Sequence, residues 1–160
     1  MKGQFLFKYF SSLVLVLFLL TSYASLEATP IDTIRKDGRL DFMRDDSSVI
    51  VSINIEIADT PQSRRMGLMN RELPDFSGGM LFIFKDVKPR NFWMRNTPTS
   101  LDMVFVDEDY SIVNIAKQTI PMSDQLYSSK GSAKYVVEVK AGFAEQYGIK
   151  EGSKIRWERL

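Results

Sequence analysis

Four polar residues stand where they could do chemistry: Arg65, Asn96, Asp102 and Glu138. Asp102 and Glu138 are the candidate catalytic pair. Two carboxyl groups, one as acid and the other as base or nucleophile, are the usual machinery for cleaving a glycosidic bond. The same neighbourhood also reads as a binding site. The tip of the Phe92–Asp107 hairpin, Trp93 and the long 119–134 loop would frame a shallow pocket. Trp93 and Met94 would supply apolar contact, Arg95 or Asn96 would orient a polar ligand or peptide segment, and Asp102 and, from a nearby helix, Arg65 would join them. A third account is structural. Asp102 would then accept backbone N–H groups of the Asn96–Ser100 turn and Asn96 would cap it, while Arg65 pairs with a carboxylate and Glu138 faces solvent beside Lys140.

The chain contains no histidine and no cysteine. Ser-His-Asp and Cys-His nucleophiles are therefore excluded, as are zinc, copper and haem sites of the usual nitrogen and sulfur type. Carboxylate, lysine or tyrosine chemistry remains, or a hard cation held by oxygen. No run has the spacing of a calcium loop, so neither metal nor cofactor is implied.

The elements that would position these residues are mostly short strands. Val49 to Ala58 alternates apolar and polar residues with a period of two, which predicts a strand. Thr60 suits an N-cap and Pro61 the first helical position, predicting a helix through Asn70 with Met66 and Met69 on one face. Gly67 inside that helix would cost about 1 kcal/mol against Ala, which points to close packing there. Met80–Phe84 predicts a strand buried on both faces, and Lys85, Lys88 and Arg90 a solvated basic connection. Phe92 to Asp107 reads as strand, turn and strand. Ser111–Lys117, Tyr135–Lys140 and Lys154–Arg159 predict further strands. Between them, 119–134 is a long polar loop, and Gly142–Tyr147 gives one or two helical turns stopped by Gly148. The expected fold is mainly β, a compact antiparallel β-sandwich or barrel with two short helices.

Residues 1–24 read as a signal peptide, with Lys2 and Lys8 before the apolar run Leu13–Leu20 and small residues up to Ala24. Residues 25–48 form a weakly structured lead-in or hairpin, and 49–160 a single β-rich domain. Cleavage after Ala24 leaves 19 basic against 20 acidic residues, a balance that argues against nucleic acid as a partner. The chain is expected to be exported, periplasmic or extracellular. It would meet a membrane only through an uncleaved signal segment.

Several strings occur in a fixed order: Glu-Ile-Ala-Asp-Thr-Pro-Gln-Ser-Arg-Arg-Met-Gly-Leu-Met (56–69), Gly-Met-Leu-Phe-Ile-Phe (79–84), Phe-Trp-Met-Arg-Asn-Thr (92–97), Leu-Asp-Met-Val-Phe-Val-Asp (101–107), Val-Val-Glu-Val-Lys-Ala-Gly (136–142) and Tyr-Gly-Ile-Lys-Glu-Gly (147–152). Together they resemble the exported bacterial and archaeal family called domain of unknown function 192. The resemblance implies a compact β-rich domain, often behind a signal peptide or anchor. It carries no assigned activity, so no catalytic residue is transferred. The family pattern has Pro-Leu-Asp after the turn, and Ser100 replaces that proline here, which implies a looser turn. The reading favours a small non-enzymatic binding or accessory domain of the cell envelope, its partner an unknown small molecule, peptide or envelope component. The alternative is a carboxylate-based hydrolase acting on a glycan or other envelope polymer.

Overall fold

The computed structural model describes residues 34–160. The expected signal peptide and the first part of the lead-in lie outside the described residues. In chain order the elements are β1 (Gly38–Met43), β2 (Val49–Ala58), α1 (Pro61–Met66), β3 (Gly78–Lys88), β4 (Asn91–Phe92), β5 (Leu101–Val106), β6 (Ile112–Ala116), β7 (Tyr127–Ser128), β8 (Ala133–Lys140), α2 (Phe143–Gln146) and β9 (Lys154–Arg159). Among the described residues the class is mainly β with two short helices, as the residue pattern implies.

Seven strands form one sheet in the order β6-β5-β8-β3-β2-β1-β9, and β4 pairs with β7 in a separate two-stranded ribbon. Pairing is antiparallel except between β2 and β3, which run parallel. The mainly antiparallel pairing is as expected, and the one parallel pair makes the sheet mixed. The reason is α1: a parallel neighbour needs a crossover connection, and residues 59–77 supply one. The sheet is not a closed barrel. Its edge segments meet around the Ser111–Lys154 bridge, with Ile112 N–H donating to the Ser153 carbonyl at 2.8 Å and Ile155 N–H to the Tyr110 carbonyl at 2.9 Å.

Alternate residues of the central strands feed two cores. One face buries Leu40, Ile55, Leu81, Val104, Val137 and Phe143. The other buries Met80, Phe82, Met94, Leu101, Met103 and Phe105. Strands covered on both faces read as continuous apolar runs, which explains Met80–Phe82 and Met103–Val106.

Thr60 caps α1 as expected. Its hydroxyl accepts from the Ser63 N–H at 3.0 Å, and the Ser63 hydroxyl accepts from the Thr60 N–H at 3.0 Å. The helix stops at Met66, short of the expected Asn70, because Gly67 takes φ 49° and ψ −134°, a conformation that side chains avoid. The close packing expected there is present. A Cβ on Gly67 would sit 3.3 Å from the Phe82 ring.

Two local expectations fail for tertiary reasons. Phe92 to Asp107 holds the expected strand, turn and strand, but its two arms do not pair with each other as a hairpin. Its first arm joins β7 in the small ribbon, and its second arm lies between β6 and β8 in the main sheet. Arg90 is not a solvated loop cation either. It is buried, donates from Nε to the Ala133 carbonyl at 3.0 Å and from a terminal nitrogen to Asp86 Oδ1 at 2.8 Å, and lies 3.8 Å over the Phe84 ring.

Candidate functional site

The 93–100 segment is held from both sides by its backbone. Met94 N–H donates to the Ser123 carbonyl at 2.9 Å, Met122 N–H to the Thr97 carbonyl at 3.1 Å, and Asn70 N–H to the Asn96 carbonyl at 2.7 Å. Asn96 itself sits at φ 55°, a left-handed position that asparagine tolerates. Ser100, the residue standing in place of proline, donates its hydroxyl to the Thr119 carbonyl at 2.7 Å. Thr119 in turn bonds the Leu101 backbone in both directions. Serine therefore fastens this turn instead of loosening it.

Asp102 is completely buried on the α2 side of the sheet. One carboxylate oxygen accepts the Gln118 N–H at 2.9 Å, and the other accepts Gly142 N–H at 3.1 Å and Ala144 N–H at 3.0 Å. The expected bonds to the Asn96–Ser100 turn are absent; Asp102 ties β5 to the end of β6 and to the start of α2. Those three donors come from segments 16 to 42 residues away, and no local pattern announces them.

Glu138 points the other way. In the β5–β8 ladder it stands opposite Met103, and in the β3–β8 ladder opposite Met80. Only 5% of its surface is exposed, so the expected solvent-facing position is overturned. The cause is that β8 is covered on both faces. Among the described residues the Glu138 carboxyl group has no hydrogen-bond or ion-pair partner, whereas Glu56, two strands away on the same face, is gripped by Arg71 at 2.8 and 3.0 Å and by Arg35 at 2.8 Å. Burial without compensation pushes the Glu138 pKa up to about 8, so at neutral pH it is a carboxylic acid.

Glu138 opens into a small recess with about 30 Å³ of free volume, room for a head group little larger than water. Phe82 and Phe92, packed edge to face with centroids 5.0 Å apart, form its apolar wall. Residues 64–69 close one side and Trp93, Arg95 and Thr97 the other. The structure thus gathers four of the sequence candidates, Arg65, Trp93, Arg95 and Glu138, around one recess. Asp102 and Asn96 are not among its lining residues. Met94 is fully buried and offers nothing to a ligand. The 119–134 loop supports the rim from behind; it does not line the recess.

The rim arginines differ in how far they are committed. Arg64 donates to the Ile83 carbonyl at 2.9 Å and lies over Phe84. Arg95 pairs with Asp124 at 2.6 Å and stacks 4.1 Å over the Trp93 indole. Arg65 is exposed and has no hydrogen bond or ion pair among the described residues. Trp93 remains 39% exposed and Met66 55%. Among the described residues no group of three or more acidic side chains could hold a metal ion.

Residues 42–157 match the sequence model of the domain of unknown function 192 family, described as "Uncharacterized ACR". A UPF0127 protein of Thermococcus sibiricus is 30% identical over 109 residues, covering 65% of this chain and 66% of that protein, just under two thirds of its length. Two crystal structures share the fold. One, from Sinorhizobium meliloti and provisionally described as a transcription regulator, has a TM-score of 0.71 at 30% identity, covering 75% of this chain and 92% of its own. The other is a protein of unknown function from Novosphingobium aromaticivorans, with a TM-score of 0.70 at 30% identity, covering 74% and 84%.

Proposed function

The chain belongs to the domain of unknown function 192 family, and on that premise we propose that it is a small exported binding domain of the cell envelope. Its site is the recess floored by Glu138. One observation carries the reading: a buried carboxyl group opens into a recess without any partner among the described residues. An unpaired buried polar group costs stability, of the order of 1–3 kcal/mol. Such a cost is tolerated where the missing partner arrives from outside.

The surroundings fit a ligand better than a reaction. Trp93 and Met66 offer apolar surface, Arg65 an uncommitted charge, and Glu138 a hydrogen-bonding group. Hydrolysis by a carboxylate pair loses its geometry, since Asp102 is consumed by backbone on the far face of the sheet. The description of the Sinorhizobium protein would call for a basic face, and 21 basic against 20 acidic residues do not favour one. Export rests on the leader-like residues 1–24.

The test uses fluorescence. Replacing Trp157, which packs near Tyr135 away from the recess, by Phe leaves Trp93 as the sole indole reporter. Its emission is expected to shift and saturate with a member of a panel of peptides, oligosaccharides and small metabolites. An unmoved spectrum across that panel would overturn the binding reading.

A further inference from the structure

We propose that the recess takes a small organic carboxylate, its anionic head held between the Glu138 carboxyl group and Arg65 and its apolar tail lying over Met66 and Trp93. This rests on the binding reading and specifies its ligand. The chemistry of the floor and of the rim points the same way. A neutral carboxylic acid presents one O–H donor and one carbonyl acceptor. With only about 30 Å³ available, the entering head must be compact. A carboxylate accepts the Glu138 proton in a short charge-assisted hydrogen bond, and its second oxygen is free to accept from a guanidinium.

The charges around Glu138 decide the sign of the ligand. On α1, Arg64 is hydrogen-bonded to backbone carbonyls and Arg65 is uncommitted. From the facing segment comes Arg95, whose charge is balanced by Asp124 at 2.6 Å, so the net positive charge of the rim is that of Arg64 and Arg65. On β8 itself Lys140 shares the Glu138 face, its Nζ donating to the Pro74 carbonyl at 2.6 Å. On β2 the acid Glu56 is neutralised by Arg71 and Arg35. Directly against Glu138, β3 and β5 place only Met80 and Met103. Among the described residues no cation forms an ion pair with Glu138, yet the recess rim is cationic. An ammonium ligand would have to approach past those arginines, and an anion would not.

Proton balance follows. Below pH about 8 the free site is already protonated and binding is a simple association. Above it the ionised site must take up one proton for each carboxylate bound, because two adjacent anions repel.

The experiment compares hexanoate, hexanamide and hexylamine on the full chain carrying Trp157→Phe, by calorimetry and Trp93 emission between pH 6 and pH 10. Hexanoate is expected to bind with an affinity that is level up to about pH 8 and then falls roughly tenfold per pH unit, with proton uptake seen as buffer-dependent heat. Glu138→Gln, of the same shape, is expected to keep hexanoate binding and level the pH profile. Arg65→Gln, on an exposed side chain that the fold does not need, is expected to weaken hexanoate by about tenfold or more without moving the break. Binding of hexanamide or hexylamine in preference to hexanoate overturns the carboxylate assignment while leaving a binding site in place. Silence with all three overturns it too, and the wider panel then decides the binding reading separately.

Discussion

Asp102 and Glu138 face opposite sides of one sheet: across the β5–β8 ladder Asp102 stands opposite Val139, and Glu138 opposite Met103. Residues directly across an antiparallel pair share a face, and successive residues alternate. The two acids are therefore separated by the thickness of the sheet although their strands are neighbours. They also differ in what their oxygens touch. Asp102 is saturated by three backbone N–H groups, and Glu138 has no partner within the described chain. One is a fastening, and the other is an open valence.

Asp102→Asn tests the fastening. An amide keeps one acceptor oxygen but turns an NH2 group toward N–H donors, leaving at least one of Gln118, Gly142 and Ala144 unsatisfied in a buried place. The expected loss is about 2–4 kcal/mol, read as a lower urea midpoint. Ligand response at Trp93 in the remaining folded protein should be unchanged. A variant as stable as the parent would mean that those three bonds do not hold the β5–α2 junction.

Local signals in the chain made some of this legible. The alternation from Val49 to Ala58, the Thr60 cap and the closing strand Lys154–Arg159 all depend on residues within a few positions of each other, and each appears where its pattern puts it. What depends on distant partners does not show. Glu138 beside Lys140 looks like the polar edge of a half-exposed strand, and only the covering of β8 by the 64–69 and 93–97 segments buries it. Phe92 to Asp107 carries an ordinary turn signal, yet the partner of Phe92 is Tyr127, 35 residues on. Arg65, Trp93, Arg95 and Glu138 were visible as candidates, but the recess that unites them was not, because its walls come from four separate stretches.

Arg90 and Lys88 look alike in the sequence and should behave differently. Arg90 is 6% exposed, stacks on Phe84 and donates to the Ala133 carbonyl and to Asp86. Lysine cannot reproduce the planar fork or the stacking, so Arg90→Lys is expected to cost about 2–3 kcal/mol despite keeping the charge. Lys88 pairs with Asp86 at the surface, and Lys88→Ala should move stability by no more than about 0.5 kcal/mol. Parallel urea titrations of the two variants decide the matter. Equal effects would show that Arg90 is not held in the interior.

Glu138 also predicts a pH dependence of folding that is opposite to the usual carboxylate behaviour. Its pKa lies near 8 in the folded chain against 4.5 for the free side chain. Between those values the folded state keeps a proton that the unfolded state has lost, so stability falls as pH rises, by about 1.4 kcal/mol per pH unit for this one group. Below pH about 4.5 both states are protonated and the group has no effect on the balance; above pH about 8 both are ionised and the loss is complete. Glu138→Gln cannot ionise and should be the more stable protein from about pH 6 upward, by roughly 3 kcal/mol at pH 7. Subtracting the urea stability curves of parent and variant at a series of pH values removes every other titrating group. A sloping difference between pH 5 and pH 8 identifies an acid kept in place at a cost to the fold, and a flat one would show that Glu138 is already ionised and paired in the native protein.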